Sequence, residues 1–131
     1  MDCRVLTVRQ PWAGLLVAGV KDVENRVWKT AYRGLLLIHA AQRIDREDLE
    51  RYRNLLDEVP TSAVIGAVQL VDCKWEGMLG VSPWAEPQNF HWIVQTVGRC
   101  RPVPASGRLG LWRPTESLLE KVLPELDLPR A

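Results

Sequence analysis

Apolar positions recur with two periods along the 131-residue chain, and each change of period marks an element. Behind an opening strand, Trp12, Leu15 and Leu16 fall at i, i+3 and i+4 after Pro11, a residue suited to the first helical position because its missing N–H would be unpaired there anyway. Gly19 supplies the stop, so the spacing predicts a short helix with one apolar face. From Asp22 the period drops to two. Glu24, Arg26 and Trp28 then share one face of a strand, and Val23, Asn25 and Val27 the other. The unbroken apolar run from Leu35 to Ile38 predicts a further strand that sets His39 in apolar surroundings.

A helical period returns from Asp45 to Leu56. Asp45 stands where an N-cap belongs, acids fill the first turn, and Leu49, Tyr52 and Leu56 form the buried stripe, with Glu47 able to pair with Arg51 one turn on. After Pro60, Ala63 to Cys73 reads as a central strand in which Gly66 marks a bulge or a close backbone approach. Residues 75–89 hold two Gly and two Pro without sustained period, which predicts a long loop carrying Trp84 as either a lid over a pocket or a plug in the core. Phe90 to Val97 alternates as a strand, with Phe90, Trp92 and Val94 opposite His91, Ile93 and Gln95. A short strand around Leu109 to Trp112 comes last, before a helix begun at Pro114 with Leu118, Leu119 and Val122 apolar, and a Pro-bearing tail expected to fray. Short strands among two or three helices, with no repeat and no βαβ rhythm, predict an α+β fold: one small mixed β-barrel around one core.

Composition changes this picture little. A hydrophobic fraction of 47% and a charged fraction of 25% suit one soluble domain. No apolar run nears the roughly 18 residues of a membrane helix, and the opening MDCRVLTVRQ lacks a signal peptide's apolar stretch, so a cytoplasmic protein without membrane contact is expected. Cys3, Cys73 and Cys100 are too few and too scattered for a disulfide framework or a zinc site, and neither a metal nor a cofactor is expected.

The distribution of charge says more than its net value of +1. Residues 1–43 carry +4 and residues 74–113 carry +3, against −4 for residues 44–73 and −2 for residues 114–131. Basic charge thus falls on the strands and their loops, which can give a nearly neutral protein one basic face suited to phosphate backbones, unless the arginines only balance nearby acids.

Candidate chemistry concentrates between residues 10 and 40. Lys21, Glu24 and Arg26 place three charges in six residues among Val20, Val23 and Val27, a setting in which they are expected to pair. Read structurally, Glu24 and Arg26 hold the barrel entrance. Read functionally, Arg26 or Arg33 takes a phosphate, with Lys29 adding charge, Glu24 accepts from an exocyclic amine such as cytosine N4, and Lys21 supplies charge or proton transfer. The place of Lys21 just after the Gly19 turn predicts an ammonium at the barrel rim, whose truncation leaves stability almost unchanged. Of six tryptophans, Trp28, Trp75 and Trp112 lie in or beside strands and are expected in the core, Trp92 is intermediate, and Trp12 and Trp84, each in a Pro-Trp-Ala triplet, are expected to stack on a base. His39 and His91 read either as hydrogen-bonded core residues or as ligand contacts.

Gly19-Val20-Lys21-Asp22-Val23-Glu24-Asn25-Arg26 resembles the G-x-K-x-x-E-x-R signature of the ASCH domain, a branch of the PUA-like β-barrels. Gln10 to Ala13, Tyr32 to Gly34, Ile38 to Ala40, Ser82 to Ala85, His91-Trp92 and Gly107 to Trp112 resemble the family's other blocks in the family's order. The resemblance covers about residues 4–113 and implies a single PUA-like domain over residues 1–131, its core followed by a C-terminal helix and tail. It implies a module that holds RNA or another nucleic acid, single-stranded or with a modified base, in a basic cleft walled by Trp12 and Trp84, with Lys21, Glu24, Arg26, Lys29, Arg33 and His39 as contacts. The alternative it implies is a metal-independent amidohydrolase of an acylated nucleoside such as N4-acetylcytidine, with Lys21 and Glu24 catalytic. Lys21 matches the deacetylase lysine, but Glu24 stands where that pattern has threonine, so a hydroxyl nucleophile is missing. Glu76 and Glu86 are the candidates for its third carboxylate.

Overall fold

The computed structural model describes residues 2–126; the expected tail lies outside the described residues from residue 127 on. The elements are β1 (Arg4–Gln10), α1 (Trp12–Val17), β2 (Val23–Arg26), β3 (Gly34–Ile44), α2 (Arg46–Tyr52), β4 (Ala63–Trp75), β5 (Phe90–Pro104), β6 (Leu111–Trp112) and α3 (Glu116–Val122). They form one six-stranded sheet in the order β2-β5-β4-β3-β1-β6. Only β1 and β3 run parallel; the other neighbours are antiparallel. The α+β class and the mixed, PUA-like curl are as expected, but β2 and β6 are edges, so hydrogen bonding leaves a half-barrel rather than a closed one. Among the described residues no helix is long and apolar enough to cross a membrane.

Apolar side chains gather on both faces of this sheet, where one core was expected. Leu6, Val8, Leu36, Ile38 and Trp92 pack inside the curl with Leu16 and Val17 of α1, while Val5, Leu35, Leu37 and Val64 pack outside it under Leu118 and Val122 of α3. Coverage of both faces explains why Leu35 to Ile38 is apolar without a break. In β4 the inward set passes from Ala63 and Ile65 to Val68 and Leu70, a change of parity made by register shifts on either side of Gly66 and Ala67. A Cβ on Gly66 would come within 2.3 Å of the Gly98 carbonyl oxygen, so Gly66 is the close approach the sequence suggested.

α1 ends as predicted. Gly19 adopts φ +79, and the Val20 and Lys21 amides both donate to the Leu15 carbonyl, turning the chain sharply toward β2. Three expectations need correcting. Asp45 precedes α2 but makes no capping bond, because its carboxylate is engaged by Arg9 and Trp12. Arg51 stands near Asp48, at 3.9 Å, as its ion-pair partner on α2. Trp75, expected in the core, is 53% exposed and meets Phe90 edge-on, whereas Trp92 is fully buried and donates to the Trp28 carbonyl.

Candidate functional site

Lys21 is only 5% exposed, which overturns its placement at the rim. The Gly19 turn swings its side chain inward, where Nζ donates to the Val23 carbonyl at 2.6 Å and to Glu24 Oε1 at 3.0 Å. Glu24 leads the inward face of β2, and Arg26 follows two residues later on that face, as a strand requires. The Arg26 Nε donates to Glu24 Oε2 at 3.0 Å, and its Nη2 reaches across the open seam of the half-barrel to the Thr7 carbonyl at 3.0 Å. One carboxylate thus sits between two cations, and the second cation bridges β2 to β1.

Above this network lies a wall of three touching rings. Trp12, Tyr52 and Trp84 have centroid separations of 5.7, 5.2 and 6.5 Å for the pairs Trp12–Tyr52, Tyr52–Trp84 and Trp12–Trp84, in tilted and edge-on contacts typical of aromatic pairs. A planar ring held between two others needs about 7 Å, twice a carbon–carbon contact, so these separations leave no slot between the rings and only the outer surface of the wall is open to a flat group. The Trp12 indole is fixed by donation from Nε1 to Asp45 Oδ2 at 3.0 Å, and Lys21 Nζ lies 5.6 Å from its ring centroid.

Trp84 is neither a loose lid nor a core plug. Asn25 clamps the loop on both sides of it, donating to the Trp84 carbonyl at 2.9 Å and accepting from the Glu86 amide at 3.0 Å. The fully buried His91 ring takes the Met78 N–H on Nδ1 at 2.9 Å and donates from Nε2 to the Glu86 carbonyl at 2.7 Å. This pairing assigns the Nε2–H tautomer and spans both ends of the loop.

The cleft in front of the wall holds about 350 Å³, near the lower end of small-molecule sites, and is lined by Trp12, Lys21, Glu24, Asn25, Tyr52 and Trp84 with Asp48, Arg51, Pro83 and Glu86. Of the residues expected at the site, Trp12, Lys21, Glu24 and Trp84 meet here. Arg26 lies behind Glu24 and lines the adjoining cavity instead. Lys29 and Arg33 line neither; Arg33 pairs at 3.3 Å with Asp72, whose carboxyl the Cys73 amide, aided by Lys74, holds below the usual range. His39 is 1% exposed beside a separate cavity of about 740 Å³, with Nε2 against the Ala105 carbonyl and Nδ1 buried without a partner among the described residues. Glu86 reaches the cleft, but Glu76 accepts from the Gln88 amide and serves the loop.

Asp48, Arg51 and Tyr52 were not foreseen, and their only signal was the i, i+3, i+4 spacing that puts them on one side of α2. With Lys21 and Arg51 against Glu24, Asp48 and Glu86, the cleft lining carries one excess negative charge rather than the basic character expected of it. Among the described residues no three His, Cys, Asp or Glu side chains gather as metal ligands would.

In comparison with known proteins, residues 6–102 match the ASCH domain. Activating signal cointegrator 1 of Homo sapiens is 38% identical over 80 residues, which cover 52% of this chain and 14% of that protein. Its Mus musculus counterpart is 36% identical over 80 residues with the same coverage, so the match spans about a seventh of either relative's length. Among solved structures, a mutant of the ASCH protein from Zymomonas mobilis aligns with a TM-score of 0.66 over 97% of this chain and 100% of that chain at 13% identity, a likeness of fold alone.

Proposed function

The chain belongs to the ASCH domain family, and from that premise we propose that its aromatic cleft binds one unstacked base of single-stranded or modified RNA. The observation that carries the proposal is the convergence of Trp12, Tyr52 and Trp84 above the buried Lys21–Glu24 pair in one cleft. The wall offers a π-face to any base, and stacking of this kind contributes roughly 1–3 kcal/mol per base. Lys21 has a third N–H beyond its bonds to Val23 and Glu24, which suits a base carbonyl, while Glu24 retains lone pairs for an exocyclic amine. The excess acid at the cleft repels a phosphate backbone from the slot itself, which favours insertion of a base edge and leaves phosphates outside. Double-stranded RNA keeps its bases stacked and cannot present one here.

Hydrolysis of an acylated nucleoside is the weaker reading. Glu24, at the position of the nucleophilic threonine, has both oxygens already engaged by Lys21 and Arg26. Titration of the protein with labelled single-stranded and duplex RNA of one sequence tests binding, and incubation with N4-acetylcytidine and other acylated nucleosides tests turnover. Single-strand preference that falls about tenfold or more in Trp84→Ala, without deacylation, supports the binding module. Equal affinity for both strand forms, or binding indifferent to Trp84, removes it.

A further inference from the structure

We infer that the cleft continues past Trp12 into an anion pocket formed by Arg9, Arg26 and Arg108, so that the ligand class is a phosphorylated nucleotide unit rather than a bare nucleoside. The inference rests on the base-binding reading and specifies what that base is attached to. A second cavity of about 440 Å³ adjoins the cleft and shares Trp12, Glu24 and Asn25 with it. Its charged lining is three arginines against the carboxylates of Glu24 and Asp45.

Hydrogen-bond accounting shows why this pocket suits an acceptor-rich anion. Both carboxylates are engaged on both oxygens: Glu24 by Lys21 and Arg26, and Asp45 by Arg9 at 3.2 Å and by the Trp12 indole at 3.0 Å. The guanidinium groups keep donors to spare. Arg26 uses Nε and Nη2 on Glu24 and Thr7, and Arg9 uses Nη1 on Asp45; Arg26 Nη1 and the rest of the Arg9 fork have no partner among the described residues. Arg108 makes no ion pair among them either, its guanidinium standing 5.8 Å from the Trp112 centroid on the exposed link between β5 and β6. Spare planar forks beside carboxylates that already hold a donor on each oxygen match the several oxygens of a phosphate. Arg26 is held in place from both sides, so its share of the site is pre-organised. A ribose lying over Trp12, Glu24 and Asn25 joins a base in one cavity to a phosphate in the other.

Calorimetric titrations of the full chain at low salt with the four ribonucleosides, their 3′- and 5′-monophosphates and sodium phosphate test this, in the parent and in Arg108→Ala. Arg108 is exposed, so the substitution leaves folding intact. At least one monophosphate is expected to bind about tenfold tighter than its nucleoside, a ratio that falls to about twofold or less in Arg108→Ala. Equal affinity for nucleoside and monophosphate, or a ratio unmoved by the substitution, overturns the anion pocket while base binding stands. Phosphate alone binding as tightly as every nucleotide overturns the base reading instead, and with it the nucleotide class.

Discussion

Lys21→Met separates a rim residue from a buried one. The substitution keeps an unbranched chain of similar length, so little cavity forms, and removes only the ammonium with its donors. Two charge-assisted hydrogen bonds disappear, to Val23 at 2.6 Å and to Glu24 at 3.0 Å, each of a kind that contributes about 1.5–3 kcal/mol. Their sum overstates the loss. Glu24 keeps Arg26 on its other oxygen, so the full 3–5 kcal/mol of an abandoned buried charge, roughly, does not apply, and burying a neutral thioether is easier than burying a cation. A destabilisation of about 3 kcal/mol remains, or roughly a 10 °C fall in Tm for a domain of 131 residues. Urea unfolding followed by far-UV circular dichroism, with an unchanged m-value, gives the difference directly. Glu24→Gln is the harsher contrast, since it withdraws the negative charge from Lys21 and Arg26 together. A Lys21→Met protein melting within about 2 °C of the parent refutes the buried network, and restores the rim placement that the sequence alone suggests.

His91→Phe preserves the ring in a fully buried position but removes both contacts to the loop, so stability should fall by about 2–4 kcal/mol and residues 76–89 should become open to limited proteolysis; an unchanged digestion pattern argues against the clamp. Burial raises the thiols of Cys3 and Cys100 from 9.0 to about 11, so the folded state binds their protons more tightly than the unfolded chain does. That stabilisation is complete below about pH 9 and is lost as pH rises toward 11. Urea midpoints of the parent should therefore drop across this window more than those of a Cys3→Ala, Cys100→Ala double variant, and parallel pH profiles contradict the assignment.

What the sequence made legible was local. The i, i+3, i+4 spacing behind Pro11 and the glycine at residue 19 defined α1, and the strict alternation after Asp22 placed Glu24 and Arg26 together on one face of β2. Both are short-range consequences of backbone geometry. Tyr52 and Arg51 escaped because the pattern of α2 shows which side is apolar but not which edge of the sheet that side meets. The extent of β5 escaped for a related reason. Gly98, Pro102 and Pro104 look like strand breakers, yet β2 pairs with β5 only from Phe90 to Ile93, so the later prolines lie where the outer edge of β5 has no strand to bond. The buried position of Lys21 was hidden as well, since a residue just after a turn points inward or outward according to the turn's φ, and that angle is not written in the residue order.

The spacing of the G-x-K-x-x-E-x-R stretch follows from these contacts. Gly19 in the left-handed region lets the Lys21 amide return to the Leu15 carbonyl, which aims the lysine side chain back under Trp12. Three residues on, Glu24 is the first inward-facing position of β2 within reach of Nζ, and two more residues bring Arg26 to the same face. A gap one residue longer or shorter would turn the arginine to the other side of the strand and away from both Glu24 and Thr7. Because Arg26 bonds from β2 to β1, two strands that share no ladder among the described residues, the ion network ties the open side of the half-barrel and forms the floor of the cleft at once. Substitutions that test ligand contact are therefore informative at Trp84 and Arg108, which stand clear of that network, and ambiguous at Glu24 and Arg26, where loss of binding and loss of the fold arrive together.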